Sequence, residues 1–245
     1  MTMTLTLAGL PNSKPKFSRR RAATAMSCIV VFGPVAAGKS TLALALAAAI
    51  PGATLLPEPT DKLQGLGLIA DLAAGRPGAG LAVQLTVMLA RLNGILDFVA
   101  SKQGVRGAQP PEQPAVVCDG HVSLDGQLYL PEHIRAGRMN ITDVCVHAHA
   151  LAVVQRLLPP PFAAPTLYVY LRTPAETCLE RCRQRARPGE RGLDLAFFQR
   201  MLVHCDAVAE TLPADRLMCI CGDDDDDDFT FGDLVGYVCK RAAAV

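Results

Sequence analysis

Tryptophan is missing from the 245 residues, and all aromatics together make up 5%. A surface that stacks single-stranded bases needs aromatic side chains interleaved with basic ones, and no such stretch occurs. Charge of one sign is lacking too: the net charge is +1, so no field draws the chain to nucleic acid or to a membrane. No apolar run approaches the length needed to span a bilayer, and neither nucleic acid nor membrane is an expected partner. The first ten residues carry no charged n-region, and the basic cluster follows the apolar part, so a secretory signal is not expected. CxxC is absent among nine cysteines. Cys178-x₃-Cys182 and Cys219-x-Cys221 lack zinc-site spacing, and an odd count argues against a disulfide scaffold. Cys28, Cys118 and Cys219 sit inside apolar runs, as small hydrophobes do. Reduced thiols point to an intracellular setting, cytoplasmic in the first instance, with a mitochondrial or viral-host one left open. Acids are absent from residues 1–27, which hold Lys14, Lys16, Arg19, Arg20 and Arg21 without periodicity. They read as a disordered basic arm, since the amphipathic pattern of a mitochondrial presequence is poor.

What is there suits one compact α/β domain over residues 28–245: hydrophobic residues reach 50% against 19% charged. Its centre is Ile29–Leu42, IVVFGPVAAGKSTL. An apolar strand runs into Gly33-Pro34-Val35-Ala36-Ala37-Gly38-Lys39-Ser40, and an Ala/Leu-rich helix begins at Thr41. This is the G-x-x-x-x-G-K-[ST] signature in its strand–loop–helix context. Gly33 and Gly38 let backbone approach an anion, and loop N–H groups with the helix N-terminus supply positive potential. Lys39 places a mobile charge on the outer phosphates, and Ser40 offers a hydroxyl to Mg²⁺. Gly33 through Thr41 is therefore the expected ATP site.

Downstream, Ala53–Leu56 is a short strand that delivers Glu58 between Pro57 and Pro59. Strand carboxyl ends face the ligand crevice in an open parallel sheet, so Glu58 points to the same edge as Lys39. Leu63–Ala74 reads as one helix and Leu81–Ser101 as a long one. Gln84 and Arg91, seven apart, share a face of the latter; on helix geometry alone that is a solvated stripe. Ala115–Cys118 is a strand ending in Asp119-Gly120, either a turn or an acid placed opposite Ser40 to organise Mg²⁺. Helices follow at Leu124–Arg135 and Thr142–Leu157, where His147 and His149 lie on different faces and read as structural. Thr166–Leu171 is a strong strand, and Thr173, Pro174 and Glu176 read as an N-cap, first position and capping box of the next helix. That helix carries Arg181, Arg183, Arg185 and Arg187 into a Pro/Gly-rich hinge, as a phosphate-covering lid would. Asp194–Thr211 is a helix, Arg216–Cys221 a fifth strand, the Asp run 223–228 a loop, and Phe231–Arg241 a last helix. The sum is a P-loop NTPase fold: a five-stranded parallel sheet with helices on both faces and an arginine-rich lid.

Glu58-Pro59, Asp119 and the arginine helix, in that order, resemble the deoxyribonucleoside kinase family, which includes the viral thymidine kinases. The resemblance spans roughly residues 28–212, and LRTPAE (171–176) followed by ERCRQRAR (180–187) is its most specific part. It implies that Glu58 is the general base for a nucleoside 5′-hydroxyl and that Gln84 reads the base edge. It implies that Glu190 holds the sugar 3′-hydroxyl, and that Arg181, Arg183 and Arg185 join Lys39 over the phosphates. Asp119 would serve with Ser40 at Mg²⁺. Arg91 and Asp125 resemble a base-pocket pair of deoxycytidine- and purine-type members that thymidine-preferring cellular members lack. Three residues depart from the pattern: Gly120 stands where the family has arginine, Ala73 and Ala74 where it usually has tyrosine, and Leu63 where tryptophan is common.

The expected function is ATP–Mg²⁺-dependent phosphorylation of a deoxynucleoside 5′-hydroxyl in nucleotide salvage for DNA synthesis, with a homodimer left open. A thymidylate-kinase-like enzyme shares the loop and lid, but its acceptor is already anionic and would want a basic residue at Glu58. A nucleotide-binding regulatory protein without turnover is the reading that Gly120 would favour.

Overall fold

The computed structural model describes residues 27–103, 115–187, 189–221 and 231–244. The basic arm up to residue 26, most of the 103–114 loop, Pro188 of the hinge and the Asp run lie outside the described residues. Five parallel strands form one sheet: β1 (Ser27–Phe32), β2 (Thr54–Leu56), β3 (Ala115–Asp119), β4 (Leu167–Arg172) and β5 (Leu217–Cys221). Their order is β2-β3-β1-β4-β5, with Val30 opposite both Cys118 and Tyr168. The strand carrying the glycine loop is central because its five residues after Ser27 are all buried, as a strand covered on both faces must be.

Alternation along β1 builds two cores. Cys28, Val30 and Phe32 face one layer, packing with helices α4 (Ala79–Gln103), α5 (Val122–Arg135), α6 (Ile141–Leu157) and α9 (Leu195–Thr211). Ile29 and Val31 face the other, with α1 (Lys39–Ala49), α8 (Ala175–Arg185) and α10 (Phe231–Ala244). Phe32 and Tyr170 stack at 4.9 Å on the first face. The doubly covered parallel sheet is the one the sequence led us to expect.

Several local expectations are corrected. The segment read as one helix over Leu63–Ala74 is two, α2 (Thr60–Gly65) and α3 (Leu68–Ala73), because Gly67 takes φ 69° between them. Thr173 does not cap α8: Pro174 is the N-cap residue and no side chain caps it, since the Thr173 hydroxyl donates to the Ala37 carbonyl instead. The Pro159–Pro161 break contains a one-turn helix, α7 (Pro160–Ala163), with proline at its start. The absence of any bilayer-length run also needs revision, because Ala79–Lys102 of α4 is apolar and long enough by composition. Arg91 and Asp97 interrupt it in sequence, and in the fold it packs against α2, α3, α5 and α6. His147 is buried against Gly126, a packing position.

Candidate active site

The glycine loop leaves β1 at Gly33, where a β-carbon would press on the Leu171 carbonyl at 2.5 Å. Ala36 (φ 63°) and Gly38 (φ 101°) turn the chain into α1, which begins with no side-chain cap and no acid in its first turn. Its first N–H groups are thus left to an anion. Lys39 Nζ donates to the Pro34 carbonyl at 2.7 Å, folded back over its own loop. Thr173 Oγ1 (3.1 Å) and Arg181 Nη1 (3.3 Å) both donate to the Ala37 carbonyl, tying β4 and α8 to the loop. Around it lies a cavity of about 1000 Å³ lined by Ala36 through Leu42, Arg181, Arg185, Arg187 and residues of β5 and α10. Ser40 and Thr41 are exposed in its wall. The set fits a nucleoside triphosphate: open N–H groups, cations, and an apolar far end at Phe231, Leu234 and Tyr237.

A second cavity, about 230 Å³, opens on the other side of the loop, and Ala36, Arg185 and Arg187 line both. Glu58 enters its wall from the end of β2, accepting a hydrogen bond from Thr60 Oγ1 at 3.3 Å. Gln84, Arg91, Asp125 and Glu190 line it as well. The polar residues of α4 are therefore no solvated stripe: Gln84 is 4% exposed. Glu190 is gripped by Arg185, Nη2 to Oε1 at 2.7 Å, and approached by Cys182 Sγ at 3.4 Å. Arg183 is exposed and lines neither cavity.

Asp119 ends β3 buried, and its Oδ1 has no partner among the described residues. An open carboxylate oxygen is the kind of donor a hard cation takes, but Asp119 lines neither cavity, whereas Ser40 lies in the wall of the larger one. Next to it, Gly120 (φ 81°) has no side chain, and the space its β-carbon would take belongs to the Arg91 guanidinium. Arg91 Nε donates to Asp125 Oδ2 at 2.5 Å, Nη2 reaches Oδ1 at 3.4 Å, and Nη1 donates to the Asp119 carbonyl at 2.6 Å. Burial opposes the Arg91 charge, but Asp125, Glu58 and Asp119 together outweigh it and raise its pKa. The departure at 120 is thus a place vacated for another arginine.

The innermost wall comes from α5, which sequence reasoning credited with Asp125 alone. Asp125, Tyr129 and His133 follow at four-residue intervals on one helical face, the spacing that would have found them. His133 Nε2 lies 3.1 Å from Gln84 Nε2. Burial holds His133 down to about 4, so it is neutral at physiological pH. Behind it, the buried Glu132 binds Arg200 (2.8 Å) on α9 and Arg135 (3.0 Å). Although burial works against its charge, those hydrogen bonds hold it down to about 2. Arg138, just past α5, completes this end.

With this geometry in place, the chain can be set beside known proteins. A family model described as deoxynucleoside kinase matches residues 29–234. No curated protein matches the sequence. Among solved structures, the fold is similar to the structure of deoxyadenosine kinase from M. mycoides with bound dCTP, with a TM-score of 0.65 at 15% identity, covering 89% of this chain and 100% of that one. At that identity the likeness speaks for the fold, a P-loop sheet with helices on both faces.

Proposed function

The chain belongs to the deoxynucleoside kinase family, and from that premise we propose that it transfers the γ-phosphate of ATP to the 5′-hydroxyl of a deoxynucleoside. The observation that carries this reading is the pair of cavities meeting at Ala36, with Lys39 on one side and Glu58 on the other. Triphosphate lies against the loop and the N-terminus of α1, with Lys39 and Arg181 on its anionic oxygens. Ser40 and Asp119 would hold Mg²⁺, which neutralises charge between the phosphates. The deoxynucleoside fills the smaller cavity, its sugar between Glu58 and Glu190 and its base against Gln84. Glu58 accepts the 5′-hydroxyl proton as the oxygen attacks phosphorus and the bond to ADP breaks. Arg185 and Arg187, shared by both walls, close over the transferring group as a lid. The product would enter nucleotide salvage for DNA synthesis.

A carboxylate at position 58 favours this over a nucleoside monophosphate kinase, whose acceptor oxygen is already ionised. The test is ATP–Mg²⁺ with each of the four deoxynucleosides and, separately, with thymidine monophosphate. Turnover on monophosphates alone would overturn the reading, and ATP binding with no turnover would leave a regulatory protein. Glu58→Gln should retain ATP binding and lose kcat by about 10²-fold or more. Near-wild-type kcat in that variant refutes the base assignment.

A further inference from the structure

We propose that Cys182 is a positioning residue for the sugar: its thiol holds one oxygen of Glu190, so that the other stays available to the 3′-hydroxyl when a triphosphate draws Arg185 away. The proposal rests on the kinase reading for the nucleoside and for the role of Glu190, and adds the residue that keeps Glu190 in place.

The backbone of Glu190 is fixed on both sides. Its N–H donates to the Arg187 carbonyl at 3.2 Å, and its carbonyl accepts from the Leu193 N–H at 3.1 Å. The side chain takes its direction from two donors on α8. Arg185 grips both oxygens, Nη2 to Oε1 at 2.7 Å and Nε to Oε2 at 3.3 Å. The Cys182 thiol donates to Oε2 alone, at 3.4 Å. Burial and the charge of Glu190 push that thiol up to about 11, so it keeps the proton that it donates.

The two donors differ in what a triphosphate can do to them. Arg185 lines both cavities with its side chain 32% exposed, and its charge is what phosphate oxygens attract. Cys182 lines neither cavity, is 4% exposed, and belongs to the core layer that holds Leu179 and Phe198. Its thiol is neutral, so phosphates exert no pull on it. With Arg185 on the phosphates, Oε2 keeps the thiol, and Oε1 is left for the sugar hydroxyl to donate to. A Glu190 without either donor would turn about its terminal bonds, and nucleoside binding would have to restrict that motion. Cys182 acts on the sugar through Glu190 and does not touch it.

The test measures calorimetric binding to the full chain of the tightest-binding of the four deoxynucleosides and of its 2′,3′-dideoxy counterpart. Each is titrated with and without a non-hydrolysable ATP analogue and Mg²⁺, and turnover of both is followed with ATP–Mg²⁺. With the analogue present, Cys182→Ala should weaken the deoxynucleoside about three- to tenfold. Without it the loss should be smaller, because Arg185 still holds Glu190. The dideoxynucleoside has no 3′-hydroxyl and should bind as before. In turnover the loss should appear in KM more than in kcat, as for a contact made before the transition state. Cys182→Ser keeps a donor and should restore most of the affinity. Cys182→Ala added to Glu190→Ala should change nothing further, since nothing is left to position. A thiol that only fills space would weaken both nucleosides equally, with or without the analogue, and that result overturns the proposal. If Cys182→Ala does not fold, Cys182→Val, which keeps the volume and not the donor, decides in its place. A shifted deoxy-to-dideoxy ratio without turnover would sink the kinase reading and keep this one. Turnover with an unshifted ratio would do the reverse, and binding of no deoxynucleoside would overturn both.

Discussion

Position 120 is informative because nothing is there. With φ at 81°, any other residue would be strained, and a β-carbon would run into the guanidinium of Arg91. That guanidinium is anchored on the Asp119 carbonyl and the Asp125 carboxylate. Moving it would uncover a buried carboxylate beside the crevice. Gly120→Ala should therefore cost about 1–3 kcal/mol in stability and lower kcat/KM by about tenfold or more. Chemical denaturation and steady-state kinetics measure the two. Values within twofold of wild type would show that Arg91 does not depend on the gap. The place of Glu58 in the cavity wall was legible in the sequence, because it follows an apolar strand at the carboxyl edge of the sheet. His133 was not, because its meaning lies in Gln84, 49 residues away, and local pattern carries no information about such pairs. Arg183 shows the converse: its neighbours in the arginine run reach the cavities, and the helix turns this one outward.

Among the elements, α5 is the one whose electrostatics reach furthest. It presents His121 as its N-cap, accepting from the Ser123 N–H at 3.3 Å, and His133 near its end. Burial holds each imidazole down to about 4. An unfolded histidine takes up a proton below about 6.5. The folded state therefore loses stability as pH falls from 6.5 to 4, by about 1–3 kcal/mol for each, and no further from this source below 4. Glu132 has the opposite sign. Its folded pKa of about 2 lies below the ordinary 4.5, so its contribution is present above 4.5 and lost as pH falls through 2. Glu132→Gln leaves Arg200 and Arg135 without their anion and should cost about 3 kcal/mol at pH 7. Melting curves from pH 7.5 to 2.5 separate the two. Wild type should weaken between 6.5 and 4, while its margin over Glu132→Gln persists to 4.5 and then closes. A margin that vanishes near pH 6 would refute the Glu132 assignment. The strands of this sheet were readable as apolar runs between turn residues, and the long helices by their period. The break at Gly67 and the use of the Thr173 hydroxyl on Ala37 were not. Each is a tertiary choice between two locally acceptable conformations.

For the molecule as a whole, the two cavities share more than a boundary. Arg185 lines both, yet its guanidinium is engaged with Glu190, the acid expected to hold the sugar. A triphosphate in the larger cavity competes for that cation. With Arg185 turned to the phosphates, Glu190 would keep only the Cys182 thiol as an internal partner and would gain free acceptor capacity for the sugar hydroxyl that the proposed function assigns to it. On the proposed function, filling one cavity would prepare the other, and such a coupling is reciprocal by thermodynamic necessity. Deoxynucleoside affinity should rise about fivefold or more with a non-hydrolysable ATP analogue present, and the analogue's affinity should rise by the same factor with deoxynucleoside present. Arg185→Met should remove the coupling, because Glu190 then lacks its arginine partner in both states. The deoxynucleoside alone should bind that variant at least as tightly as it binds wild type. Four calorimetric titrations close the cycle for each protein. Equal affinities along opposite edges in wild type would show that the two halves of the crevice act independently, with Arg185 on Glu190 a static ion pair. A coupling that survives Arg185→Met would place the link instead in Ala36 and the loop backbone, the other element the two cavities share.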